Sequence, residues 1–186
     1  MVRKVKLIPH DKKYAKAMSA LSSSRHVKDA LGLSDEQTSI EGTKQFIEFI
    51  RKQEKLGKQY SRCIINDHDK LIGVITLKDI DMDNKTCHIG TWIGQPYWGQ
   101  GYNESAKAEI LYVAFHEFNL EYVFAGAKVS NIRSQKAQEK LPYIRLQVEN
   151  EFPAEHKKLE NQVKSRCMLN VIEREDFLNW YNQNLD

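Results

Sequence analysis

The residues most suited to chemistry lie between Ile93 and Asn103, where Gly94-Gln95-Pro96-Tyr97-Trp98-Gly99-Gln100-Gly101-Tyr102 joins a β-branched run to a long apolar one. A glycine-bearing turn that ends at a helix start exposes several backbone N–H groups. The helix end adds roughly half a positive charge, so the stretch can cradle an anion such as a phosphate. It is not a triphosphate loop, since no Gly-Lys-Ser/Thr follows, and its spacing is not the Gly-x-Gly-x-x-Gly of dinucleotide sites. Glycines also serve any close strand-to-helix turn, so spacing alone leaves a structural reading beside the anion site. His88 stands just upstream; an imidazole with an ordinary pKa of ~6.5 can accept a proton at neutral pH, although no sequence neighbour orients it. Ser134, on propensity alone, is a polar residue in the first turn of a helix.

These residues need elements to place them. Val5, Leu7 and Pro9 alternate with polar residues before Asp11, which predicts a strand and then a capped helix through about Leu21. Ser22 to Ser39 reads as polar and irregular. A helix from about Ile40 to Leu56 carries Phe46, Ile47, Phe49 and Ile50 on neighbouring turns and stops at Gly57. Three strands follow, Tyr60 to Asn66, Leu71 to Ile80 and Thr86 to Ile93, joined by short polar links as an antiparallel meander. Asn103 to Phe118 is too apolar for a surface helix and is expected to pack on a sheet. Glu121 to Val129 reads as a strand, Asn131 to Leu141 as a helix ended by Pro142, and Tyr143 to Val148 and Ser165 to Ile172 as strands separated by a polar segment. Glu175 to Asn182 closes the chain as a helix, and no linker or repeat divides this α+β pattern.

The 186 residues suit one domain, residues 1–186, since domains cluster near ~100 to 200 residues. A net charge of +3, with Lys and Arg interspersed with Glu and Asp, argues against nucleic acid as the primary ligand. Cys63, Cys87 and Cys167 are far apart, without metal spacing, and read as reduced, buried thiols; no metal site is expected. No apolar run approaches the ~18 residues of a membrane span, and the start lacks a signal-like stretch, so a cytoplasmic protein is expected.

The stretch Ile89-Gly90-Thr91-Trp92-Ile93-Gly94-Gln95-Pro96-Tyr97-Trp98-Gly99-Gln100-Gly101-Tyr102-Asn103-Glu104-Ser105-Ala106 is followed downstream by Asn131-Ile132-Arg133-Ser134 and Glu139-Lys140-Leu141. These two blocks, in this order, resemble the acetyl-CoA-dependent GNAT superfamily. Within it they are similar to the RimJ/RimL-like branch, whose members read close to I-G-Y-W-I-G-P-E-Y-W-G-K-G-Y-A-T-E-A and N-x-x-S-x-x-x-x-E-K-L-G-F. The resemblance covers Lys4 to about Ile172. It implies the GNAT fold, a mixed, mostly antiparallel central sheet flanked by helices on both faces. It also implies acetyl-CoA as donor, its pyrophosphate held by backbone amides of Gly99, Gln100, Gly101, Tyr102, Asn103 and Glu104, with Trp98 in the same turn. The strand end at Ile93 and Gly94 would pair with the pantetheine arm, and Asn131 would hydrogen-bond that arm from the other side. Ser134 would protonate the leaving thiolate, and His88, where relatives often place Glu, would act as base.

Departures accompany the match. Asn103 replaces a small residue, Glu104 brings a negative charge to the helix start, Gln138 stands where many relatives use a tyrosine acid, and Pro142-Tyr143 replaces Gly-Phe. Acetyl transfer needs a neutral amine, a polarised thioester carbonyl and a proton for the thiolate. An N-terminal amine of pKa ~8 meets the first need more easily than a lysine of ~10.4. A backbone N–H near Ile93 could polarise the carbonyl as an oxyanion hole does. By resemblance the acceptor is a primary amine, with a protein N-terminus favoured. A small amine (polyamine, amino acid or aminoglycoside) and a noncatalytic acetyl-CoA-binding module are the alternatives, the assembly being a monomer or homodimer. Glu149, Glu151 and His156 read as solvated loop charges. Trp92, Tyr97 and Trp98 read either as packing or as the wall of an acceptor channel.

Overall fold

The computed structural model describes residues 4–185, whose packing divides into two compact units. The first comprises the described residues up to Ile80 together with Gly90–Ile110; the second comprises Asp81–Ile89 and the described residues from Leu111 onward. In chain order the strands are β1 (Val5–Ile8), β2 (Tyr60–Asn66), β3 (Leu71–Asp81), β4 (Thr86–Ile93), β5 (Tyr122–Lys128), β6 (Ile144–Arg145) and β7 (Cys167–Glu173). The helices are α1 (Ala15–Ser22), α2 (Arg25–Leu31), α3 (Asp35–Thr38), α4 (Ile40–Lys55), α5 (Tyr102–Tyr112), α6 (Ile132–Glu139), α7 (Pro153–Val163) and α8 (Arg174–Gln183).

In the first unit, Asp11 caps as expected, its Oδ1 accepting from the Lys13 amide at 2.9 Å, but a 3-10 turn over Lys12–Tyr14 precedes α1. The segment expected to be irregular holds α2 and α3. Gly32, at φ +65°, closes α2, and a reciprocal Ser34–Gln37 capping box opens α3. Both helices are short, and Val27 and Thr38 are their only buried residues, so no apolar period betrays them. Ser39 caps α4 through the Gly42 amide at 3.0 Å. Thr43, Ile47 and Ile50, spaced four and three apart, form its buried stripe, while Phe46 and Phe49 stay exposed. Ile47 packs with Ala15 and Met18 against Cys63, Ile65 and Val74 of β2 and β3. Burying such a side chain contributes about 1.5–3 kcal/mol, so this stripe is what holds α4 in place.

β1 pairs antiparallel with β2 from Val5↔Asn66 to Ile8↔Cys63, and β2 antiparallel with β3 from Tyr60↔Leu77 to Ile65↔Leu71. Asn66 Oδ1 accepts from the amides of His68 and Lys70, which shapes the polar link between β2 and β3. A Cβ on Gly73 would stand 2.2 Å from the Trp92 carbonyl oxygen, so that glycine permits the close passage of β4.

In the second unit, β4 and β5 pair in parallel from Thr86↔Tyr122 to Ile89↔Ala125, where the pairing stops. β5 pairs antiparallel with β7 from Tyr122↔Glu173 to Lys128↔Cys167, and β6 with β7 at Ile144↔Ile172 and Arg145↔Val171. The strand order is β1-β2-β3-β4-β5-β7-β6, the mixed, mostly antiparallel α+β sheet expected of the GNAT fold. The strand expected over Tyr143 to Val148 is reduced to two residues. Gln147 turns to φ +57° and gives its N–H to Asn170 Oδ1, and only Val148 returns to β7 through the Leu169 carbonyl. The polar segment before β7 is the helix α7, begun by Pro153 and held by Leu159 against the cluster of Phe124, Leu169 and Val171. α8 seats Phe177 on Phe115 and Tyr143 at ring separations of 5.5 and 5.0 Å. All three cysteines are buried thiols outside any disulfide. Among the described residues no helix is long and apolar enough to cross a membrane, and no group of three or more His, Cys, Asp and Glu could hold a metal.

Candidate active site

The glycine turn lies in the first unit. β4 ends at Ile93, a 3-10 turn spans Gln95–Tyr97, and α5 begins at Tyr102. Gly99 and Gly101 take φ of +72° and +80°, conformations that cost other L-residues roughly 1–2 kcal/mol. A Cβ at Gly99 would meet nothing within 4 Å, so the backbone there faces open space. The amides of Tyr97 and Trp98 are spent inside the turn on the carbonyls of Gly94 and Gln95. Lys4, which the sequence reading overlooked, joins the turn across 96 residues, its Nζ donating to the Gln100 carbonyl at 3.2 Å. That ammonium stands 3.1 Å from where a Gly101 Cβ would lie, and the Lys4 amide donates to Ser105 Oγ. An anion cradle with its own cation is the result. The residues present fit a diphosphate.

Its neighbours are engaged in ways the sequence did not show. Trp98 Nε1 donates to the Ile93 carbonyl at 2.7 Å, and the Gly94 amide donates to the Ile72 carbonyl at 2.8 Å. The Ile93 carbonyl and the Gly94 amide, two of the groups at the strand end expected to meet the pantetheine arm, thus each have a bond within the protein. A Cβ on Gly94 would press on Leu21 at 2.7 Å, so this glycine is needed for packing. Tyr102 is buried with its hydroxyl donating to Asp67 Oδ1. Asn103 Oδ1 accepts from Lys107 Nζ at 3.3 Å. Burial lowers the Lys107 ammonium to about 8, against the attraction of Glu104, which itself stays exposed. A buried lysine thus lies one turn inside the helix start.

In the second unit, His88 is 3% exposed and its Nε2 lies 2.6 Å from Glu155 Oε2, with its ring 5.2 Å from that of Phe124. The orienting partner that the sequence could not supply comes from α7, 67 residues away. A carboxylate at that distance favours a proton on Nε2 between the two groups. Lys158 also approaches Glu155 Oε2, at 3.9 Å. His156, Glu149 and Glu151, read as loop charges, are bonded instead. His156 Nε2 meets the Cys167 carbonyl at 2.8 Å, Glu149 accepts from the Leu169 amide, and Glu151 pairs with Arg145.

The same unit holds the second block. Asn131 Oδ1 caps α6 through the Ser134 amide at 3.1 Å, which fixes the half-buried serine in the first turn. Gln138, buried, donates from Nε2 to the Gly126 carbonyl at 3.0 Å and to Ser134 Oγ at 3.5 Å, while its Oε1 accepts from Asn170. A hydroxyl that accepts from an amide keeps its own proton to give. The residue at the tyrosine position is thus no acid but a support for Ser134.

Residues 4–143 match the acetyltransferase (GNAT) domain family. One relative, named "Putative ribosomal N-acetyltransferase YdaF", from Bacillus subtilis (strain 168), is 31% identical over 74 residues, and the aligned part spans 40% of this chain and only 40% of that protein. In fold, the chain is similar to spermidine N-acetyltransferase from Vibrio cholerae, solved with CoA and spermine, at a TM-score of 0.72 and 12% identity over 94% of this chain and 98% of the other. It is also similar to the microcin C7 self-immunity acetyltransferase MccE, solved with acetyl-CoA and AMP, at 0.69 and 20% over 78% and 81%. With three quarters of its length matched, the sheet order of the fold and a glycine turn opening α5, this chain belongs to the GNAT acetyltransferase family.

Proposed function

We propose that the whole chain works as one acetyltransferase domain that moves the acetyl group of acetyl-CoA to a primary amine, with a protein N-terminus as the favoured acceptor. It acts in the cytoplasm, as a monomer or homodimer. The observation that carries this reading is the turn in which Gly99 and Gly101, both at positive φ, open α5 beside the Lys4 ammonium. Acetyl-CoA, when bound, supplies a thioester whose C–S bond is exchanged for a C–N bond to the amine. The amides from Gly99 to Glu104 and the Lys4 charge hold the diphosphate. Asn131 helps to position the pantetheine arm. His88 takes one proton from the amine, and Glu155 stabilises the imidazolium that forms. Ser134, supported by Gln138, gives one proton to the departing thiolate and is reprotonated from solvent, to which the His88 imidazolium releases the proton taken from the amine.

A thiol-release screen with peptides and small amines tests this. Free CoA should appear only when both acetyl-CoA and an amine are present. Acetyl-CoA that stabilises the fold but yields no CoA with any amine would instead indicate a noncatalytic binding module.

A further inference from the structure

Gly90 has no backbone reason to be glycine. It lies within β4 without a positive φ, and a Cβ there would meet only Lys78 Cε and Nζ, both at 3.9 Å. Gly73, Gly94 and Gly126 differ, because protein atoms stand 2.2 to 2.7 Å from the Cβ each would carry. A glycine inside a strand weakens it and commonly marks close approach of a ligand or another chain. Gly90 lines a cavity of about 300 Å³ within the first unit, at the small end of the ~300–1,000 Å³ of small-molecule sites. Leu31, Phe46 and Phe49, all exposed, give that cavity an apolar lining, and Trp92 lines it from β4.

The polar groups lining the cavity limit what can enter. None of its lining residues is an Asp or Glu, and the one charge is Lys78, half-buried and in no ion pair among the described residues. The hydroxyl of Thr91, another lining residue, is buried with no hydrogen-bond partner. An ammonium brought here would leave water for an apolar wall and a like charge. A carboxylate would gain a charge-assisted hydrogen bond.

We propose that this cavity receives the acceptor and that the reactive amine is carried on an apolar group bearing a carboxylate, not on a polyamine. The proposal rests on the acetyltransferase reading. β4 supports it, because Gly90 to Trp92 line the cavity and Ile93 leads directly into the glycine turn. Free leucine and a peptide beginning Leu-Asp share this chemistry, while a peptide beginning Leu-Lys and spermidine do not.

CoA release measured with these four acceptors should give KM values at least tenfold lower for leucine or the Leu-Asp peptide, and whichever of the two is lower identifies a free or peptide-borne source. Lys78→Glu should reverse the order. Gly90→Val should raise KM at least tenfold for the apolar acids while leaving acetyl-CoA affinity and Tm no lower than in the unaltered protein. Spermidine as the best acceptor, or an order indifferent to both substitutions, would overturn the proposal. Calorimetry with N-acetyl-Leu-Asp needs no turnover and separates the two ideas. If it binds and both substitutions abolish binding while no amine releases CoA, the cavity assignment stands and the activity falls; if it does not bind, the cavity assignment falls.

Discussion

Glu155 bears on whether His88 can serve as a base, because a carboxylate 2.6 Å from a buried imidazole orients the ring and stabilises its charged form. Glu155→Gln removes the carboxylate and keeps the size. We expect kcat/KM to fall about 10- to 100-fold, with acetyl-CoA affinity unchanged in calorimetry. An unchanged kcat/KM would make the pair purely structural. Ser134→Ala should likewise slow turnover, by about tenfold or more, while binding stays intact; a normal rate would remove Ser134 as the acid. His10 gives a test of stability instead. Its Nε2 meets Ser61 Oγ at 2.8 Å, and burial, helped by Arg62 and opposed by Glu54, pushes its pKa down to about 4. The unfolded chain binds this proton below ~6.5 and the folded chain only near 4, so stability falls as pH drops through that window, by about 3 kcal/mol at most. Urea unfolding from pH 7 to 4 should show the loss, and His10→Gln should flatten it. Of these residues His88 was singled out by its type and place on β4, and Ser134 by the resemblance of its block. Glu155 and Gln138 were not, because their roles come from contacts that no local pattern encodes.

Among the elements, α5 and its preceding turn bear the cofactor assignment. Gly101→Glu would force a side chain into φ +80°, against the Lys4 ammonium, and add a negative charge to the anion cradle. Acetyl-CoA affinity should fall more than 100-fold in calorimetry, since roughly 1–2 kcal/mol of strain and a repulsive charge act together. Lys107 lies one turn further on, where burial depresses its pKa. The unfolded chain holds this proton more tightly than the folded one, so the penalty is full below about 8 and shrinks as pH rises toward ~10.4. Lys107→Met should therefore raise stability near pH 7 by about 1–3 kcal/mol in urea unfolding, with a smaller gain at pH 10. The central strands were legible because β-branched runs bounded by polar turns admit few other readings; β2 and β4 have the expected ends. α2, α3 and α7 were missed for one shared reason: each buries a single residue, leaving caps such as Ser34 with Gln37 as the available signal.

At the scale of the whole chain, two spaced blocks carried more than composition did. A net charge of +3 only argued against nucleic acid, whereas the glycine turn and the Asn131–Ser134 block led to a family that residues 4–143 match. The mixed sheet agreed with that reading, although β6 shrank where Gln147 leaves extended backbone. The cavity proposed for the acceptor was not legible, because its lining is brought together from separate elements, among them α2, α4, β3 and β4. Acetyl-CoA at a hundredfold excess over its Kd should stabilise the chain by about 2.7 kcal/mol, seen as a higher Tm. The most direct measurement is the release of free CoA from acetyl-CoA, followed with a thiol reagent while primary amines are supplied. The account predicts release that depends on the amine, saturates with it and is lost in Gly101→Glu. Release that ignores the amine, or none with any peptide or small amine, would contradict it.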